Sequence, residues 1–154
     1  MASTVANVTL NVDVTESVML NGTNHGSTNS VAITGVNEVS KRIMSLTANT
    51  DITLATFSTV PAAGQFVSAN VKYVRITNLD DANSCNINLG GAAENVWIYL
   101  DWGRSFILSQ PASAIDAVAS GTVAEASLAD VTTITGNTAN ASNTIDVEVF
   151  VASS

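Results

Sequence analysis

The stretch whose reading decides the fold is Lys72–Gly91, KYVRITNLDDANSCNINLGG. Val74 and Ile76 fall on one side, and Tyr73, Arg75 and Thr77 on the other. After a polar turn through Asp80, Asp81 and Asn83, the residues Cys85, Ile87 and Leu89 share a side against Asn86 and Asn88. A period of two is the signature of a strand with one apolar face. Asp and Asn favour the turn because their side chains accept hydrogen bonds from nearby backbone N–H groups. The stretch therefore reads as a β-hairpin with an Asx-rich turn, and nothing in it resembles an active site.

The same period runs outward in both directions. Val8, Leu10, Val12 and Val14 alternate with Asn7, Thr9, Asn11, Asp13 and Thr15, which predicts a strand with one buried face. ESVMLNG carries it to a turn signal at Asn21-Gly22, and NGTNHGSTNS follows as a polar loop. VAITGVNEVSKRIMSL reads as strand, turn at Gly35 and a longer strand. Its buried set is either Val39 with Ile43 or Met44 with Leu46. DITLATF alternates through Ile52 and Leu54, and STVPAAGQFVSAN is a loop. NVWIYLDWG sets Val96, Ile98 and Leu100 against Trp97 and Tyr99. DWGR is a turn, and SFILS a short strand ended by Pro111. Ala112–Asp130 is Ala-rich: VAEASLAD has helical propensity, whereas Gly121 and the strand-rich surroundings favour extended or irregular chain. GNTANASN reads as a loop. The closing TIDVEVFVA places Ile145, Val147, Val149 and Val151 on one face. Many short strands separated by turn signals mean an antiparallel sandwich, a jelly roll or a small barrel.

Composition narrows the function. The chain has 154 residues, which fits one domain, 1–154. Charged residues are only 12% of it, and the net charge is −8, with all five basic residues between Lys41 and Arg104. Phosphate-backbone binding needs clustered Lys and Arg, so nucleic acid is not an expected partner. No apolar run approaches the ~18 residues of a membrane span. The N-terminus lacks the basic and apolar regions of a signal peptide. The single Cys85 rules out an intrachain disulfide and reads as a small buried thiol.

Catalytic chemistry finds no support. The only histidine, His25, lies in a polar loop, without the set of ligands that zinc needs or the elbow that a serine nucleophile needs. Asp146 and Glu148 alternate with valines and read as a solvated strand face, while Asp80, Asp81 and Asn83 lack the spacing of a calcium loop. No catalytic residue, metal ligand or cofactor site is expected. One constellation stands out: Trp97, Tyr99 and Trp102 with Arg104 and Arg75. These side chains pack beneath a loop, stack on a sugar, or anchor a protein interface, where Trp, Tyr and Arg are enriched.

VNEVSKRIMSL, VKYVRITNLDDANSCNINLG, YLDWGRSFIL and TIDVEVFVA resemble a family of small β-sandwich virion proteins of tailed bacteriophages, especially marine cyanophages. The shared features are the strand Tyr73–Asn78, the turn Asp80–Asn83, the strand Gly103–Leu108 and the closing strand Asp146–Val151. The resemblance covers roughly residues 36–109 and the last strand, and its motifs describe β-structure rather than catalysis. It implies an all-β antiparallel sandwich of jelly-roll type that forms a trimer. It also implies a decoration or cement protein on the outer capsid surface, assembled in the host cytoplasm, with the major capsid protein and itself as partners. A tail or fibre module for tail assembly or host-glycan recognition is the alternative. Residues 1–15 are expected to exchange with, or extend to, a neighbouring subunit by strand addition.

Overall fold

In a computed structural model the chain is described over residues 5–91, 95–108, 131–138 and 143–154. The alternating segments become strands β1 (Val8–Thr15), β2 (Met19–Leu20), β3 (Thr23–Asn24), β4 (Thr28–Val36), β5 (Glu38–Leu46), β6 (Ile52–Ser58), β7 (Phe66–Val67), β8 (Val71–Asn78), β9 (Cys85–Gly90), β10 (Asn95–Leu100), β11 (Ser105–Leu108), β12 (Thr133–Thr138) and β13 (Ile145–Ser153). The described residues contain no α-helix, only a 3₁₀ turn at Ser68–Asn70.

Two sheets form the body, one of order β11-β8-β13-β5 and one of order β10-β9-β12-β6-β7. Their inward side chains make a single core. Leu46, Ile76, Val147 and Val149 come from the first sheet, and Leu54, Ile87, Leu89 and Ile134 from the second. The pairing is nested. Leaving aside the two-residue β7, the first body strand β5 pairs with the last, β13; β6 pairs with β12, β8 with β11 and β9 with β10, all antiparallel.

This arrangement corrects the hairpin reading of the opening stretch. β8 pairs with β11 and β13, whereas β9 pairs with β10 and β12. The Asx-rich turn carries the chain from one sheet to the other. Alternation identifies the apolar side of each strand correctly, and both sides face the same core, but it does not say which strand is the neighbour.

One further difference has a steric explanation, and one open alternative is decided. The sequence reads Gly136 as the start of a loop, yet Gly136 lies inside β12. A Cβ there would meet Leu46 Cδ1 at 3.1 Å and Ile87 Cδ1 at 3.3 Å, so this glycine admits core side chains and does not mark a turn. On β5, Met44 and Leu46 turn inward, while Val39 and Ile43 face out. The expectation for Ala112–Asp130 lies outside the described residues.

The N-terminal region is a hairpin arm. β1 pairs with β4, and β2 with β3 across a turn in which Asn21 and Gly22 have φ of 50° and 80°. These are the left-handed angles of a two-residue hairpin turn. The expected buried face of β1 is covered only in part: Leu10 and Val12 are half-buried, whereas Val8 and Val14 are exposed. Leu10, Val12 and Ile33 pack with Val36, Tyr73, Phe150 and Ala152 in a second apolar cluster. Tyr73 and Phe150 point away from the main core, so the arm lies over the outer face of the four-stranded sheet. The turn expected at Gly35 is instead an irregularity inside β4: Gly35, at φ +75°, sits where the register against β1 shifts between Val8 and Leu10, and only Asn37 separates β4 from β5.

Candidate interaction site

The aromatic constellation divides between surfaces. Trp97 and Tyr99 project from the outer face of β10, an edge strand of the five-stranded sheet, and both are at least half exposed. Their rows continue across the sheet as Asn88 and Thr135, and as Asn86 and Asn137. The carboxamides there are linked: Asn86 Nδ2 donates to Asn137 Oδ1 (3.1 Å), Asn137 Nδ2 to Asp51 Oδ1 (2.6 Å) and Asn88 Nδ2 to Asn95 Oδ1 (3.2 Å).

The turn after β10 is built on Asp101. The Tyr99 hydroxyl donates to Ser84 Oγ (2.7 Å), and Ser84 Oγ donates to Asp101 Oδ1 (2.8 Å), which also accepts the Trp102 N–H (2.9 Å). The Ser84 hydroxyl bond, then the Trp102 N–H and the nearby Arg104 charge, hold the Asp101 carboxyl below its ordinary range. The Arg104 N–H closes the turn on the Asp101 carbonyl at 3.2 Å, with Gly103 at φ +64°. Tyr99 is thereby fixed through its hydroxyl, and Trp102 and Arg104 are displayed where the chain crosses to β11.

Arg75 belongs to the other side of the sandwich. On the outer face of the four-stranded sheet its Nη2 donates to Glu148 Oε1 (2.5 Å) and its Nη1 to Thr77 Oγ1 (2.6 Å). Its guanidinium lies 5.9 Å from the Phe150 ring centre. Lys41 Nζ approaches Glu148 Oε2 at 2.9 Å. Lys41 and then Arg75 keep the Glu148 carboxyl below its usual value against the opposing effect of burial. The structure thus brings Trp97, Tyr99, Trp102 and Arg104 onto one strand and its following turn, and sets Arg75 apart from them.

The carboxylates weighed in the sequence have structural partners. Asp80 Oδ1 accepts the N–H groups of Ala82 (2.9 Å) and Asn83 (2.7 Å), which lower its pKa, and Asp146 Oδ1 accepts the Ser45 hydroxyl (2.6 Å). Among the described residues no three His, Cys, Asp or Glu side chains are grouped to hold a metal ion. Cys85 is buried, and burial pushes its thiol up to about 11.

A second surface was missed by sequence reasoning. Leu10 to Val14 form one side of a groove of about 370 Å³, with Tyr73, Arg75, Ser105, Ile107 and Phe150 forming the rest. Beyond it, Val18, Met19 and Leu20 at the arm's tip are exposed. The Asn-Gly turn marked the hairpin, but alternation alone assigned β1 a buried face that the body only partly covers. No protein-family model, characterised protein or solved structure matches this chain.

Proposed function

We propose that this chain is a non-enzymatic structural protein of a tailed-phage virion that decorates or cements the outer capsid surface. It binds across major capsid protein subunits as a homo-oligomer, a trimer in this reading. The observation that carries the proposal is the nested pairing of eight body strands, β5 with β13, β6 with β12, β8 with β11 and β9 with β10. A long antiparallel hairpin rolled into two facing sheets is the plan of a jelly roll, an architecture used by viral capsid and lectin domains. The phage-like segments add support. Although far apart in sequence, they supply β5, β8, β11 and β13, the four strands of one sheet, together with β9.

The mechanism is binding alone. Each subunit held on the shell stabilises the assembled state by mass action, because capsid subunits cannot separate without losing that contact. Trp97, Tyr99, Trp102 and Arg104 supply the rings and guanidinium that concentrate binding energy at protein interfaces. The net charge of −8 suits a surface facing solvent better than one facing DNA.

The second reading, a tail or fibre module, is favoured by one observation. Beside Trp97 and Tyr99 the outer face carries Asn86, Asn88 and Asn137, a neutral row of carboxamides next to open rings, which suits a glycan. Copy number per purified particle, measured by quantitative mass spectrometry, separates the readings. Hundreds of copies are expected for decoration. About a dozen would place the chain in the tail, and absence from particles would overturn both.

A further inference from the structure

We infer that the hairpin arm, residues 5–36, is exchanged between copies of this chain, each arm lying on the four-stranded sheet of a neighbour in place of that neighbour's own arm. The structure shows what covers this sheet: Leu10, Val12 and Ile33 of the arm pack with Tyr73, Phe150 and Ala152 of the body. Exchange remakes the same contact between two molecules and needs no new complementarity.

The arm is bonded as a unit. Among the described residues its strands pair only with one another, β1 with β4 and β2 with β3. Its other bonds are internal as well. The Glu16 N–H donates to the Ser27 carbonyl (2.8 Å), the His25 N–H to the Val18 carbonyl (2.9 Å) and the Ser27 hydroxyl to Glu16 Oε2 (3.1 Å). The described ion pairs, Lys41 and Arg75 with Glu148, lie within the body. Among the described residues, no hydrogen bond or ion pair joins residues 5–36 to the body. Apolar contact alone holds the arm there, so its release breaks no hydrogen bond and orphans no buried polar group. That contact is also incompletely filled, since a groove of about 370 Å³ remains between Leu10 to Val14 and the sheet.

The hinge is a single residue. β4 ends at Val36 and β5 begins at Glu38, and the Asn37 N–H bonds the Ser153 carbonyl at 3.0 Å, so the body holds the chain up to Asn37. Straightening there joins β4 and β5 into one continuous strand that carries the arm to the next copy. Short hinges of this kind favour exchange. Val8, paired with Val36, and Val39 flank the hinge at 57% and 54% exposure. Opening sets two bodies side by side at that point and gives these side chains a surface to bury, which offsets the cost of association. A free two-stranded ribbon is marginal in water, so a released arm returns to a sheet. The whole ribbon passes to the neighbour, not β1 alone. The inference deepens the reading of the chain as a self-associating coat component and rests on it for the number of copies. Cross-linking in solution tests the exchange and particle copy number tests the virion role, so the two fail separately.

The test is a double variant of the full chain, Val14→Cys with Ile107→Cys. Both positions are half exposed and line the groove, one on the arm and one on the body, while Cys85 is buried. A bis-maleimide long enough to span the groove bridges them. Exchanged arms give bridges between chains, read on a denaturing gel as multiples of 15.8 kDa. Chains bridged mainly to themselves, told from unbridged chains by intact mass, would overturn the exchange. So would the absence of any bridge, or a monomeric wild type in sedimentation velocity. Circular dichroism verifies folding. A second variant, with a flexible Gly/Ser insert after Asn37, decides the matter should the cysteine variant not fold. Its arm reaches its own sheet, so the oligomer is expected to fall to monomer, and an insert variant that keeps the wild-type mass per copy number overturns the proposal.

Discussion

The side-chain amide of Asn78 donates to the carbonyl of Leu100 across 3.3 Å and ties the end of β8, in one sheet, to the end of β10, in the other. The same Nδ2 donates to the Asn83 carbonyl at 2.9 Å, and Oδ1 accepts the Asp80 N–H at 3.0 Å. Asn78 is fully buried. One side chain therefore closes the corner through which the chain leaves the four-stranded sheet. Asn78→Ala abandons these partners, and each buried orphan costs about 1–3 kcal/mol. A total loss of roughly 2–4 kcal/mol is expected from urea unfolding at constant m. A loss under about 0.5 kcal/mol, the range of ordinary surface changes, would show that the corner holds without it.

Gly136 is constrained by its neighbours across the core. A methyl at this position meets both Leu46 Cδ atoms, at 3.1 and 3.2 Å. Gly136→Ala should destabilise by about 1–3 kcal/mol, the usual cost of overpacking. In a Leu46→Val background the added methyl has more room, so the two changes should be non-additive in the relieving direction. Strict additivity in thermal unfolding would mean that the clash is absorbed elsewhere.

These two residues show where the sequence was legible and where it was not. Face assignments followed from period two: Val74, Ile76, Cys85, Ile87, Ile145 and Val147 are all buried as expected. Pairing partners were not legible, because Asx chemistry at Asp80 specifies a turn but not whether the chain returns beside itself or crosses to a facing sheet. Gly136 was misread because a glycine needed for close packing looks the same in one sequence as a glycine needed for a turn. Trp97 and Tyr99 were correctly placed opposite Val96 and Ile98. Arg75 was grouped with them because sequence gives the face of a strand relative to its own neighbours and not which outer surface of the sandwich that face becomes.

Acid should loosen the four-stranded sheet through Glu148. Its folded pKa is held below the ordinary 4.5 by Lys41 and Arg75, so the unfolded chain binds the proton more readily. The stabilisation is therefore present above about pH 4.5 and is lost as pH falls through the lower, folded value. Asp80 and Asp101, shifted in the same direction, add to the trend. The thermal midpoint should be flat from pH 5 to 7 on their account and fall below that range. The difference between wild type and Glu148→Gln should narrow as pH approaches 3. A difference independent of pH would show that the ion pairs of Glu148 contribute nothing to stability.

Trp97 offers the sharpest separation between folding and binding. Its ring is half exposed on an edge strand, so Trp97→Ala should change stability by no more than about 0.5 kcal/mol. If the ring is an anchor on the capsid, truncation costs 2 kcal/mol or more of binding, roughly a thirtyfold loss of affinity. The measurement is occupancy on particles lacking the protein, titrated with wild type, Trp97→Ala and Arg104→Ala, after each is shown to melt normally. Wild-type occupancy by a folded Trp97→Ala would remove this face from the capsid contact. Binding of Trp97 to a neutral glycan would instead show as lost saccharide affinity with particle occupancy unchanged, the result expected of the tail or fibre reading. The Tyr99 ring is a control of a different kind. Its hydroxyl is held by Ser84, so Tyr99→Phe keeps the ring surface while releasing that bond. A binding role for the ring predicts that Tyr99→Phe retains affinity and Tyr99→Ala does not.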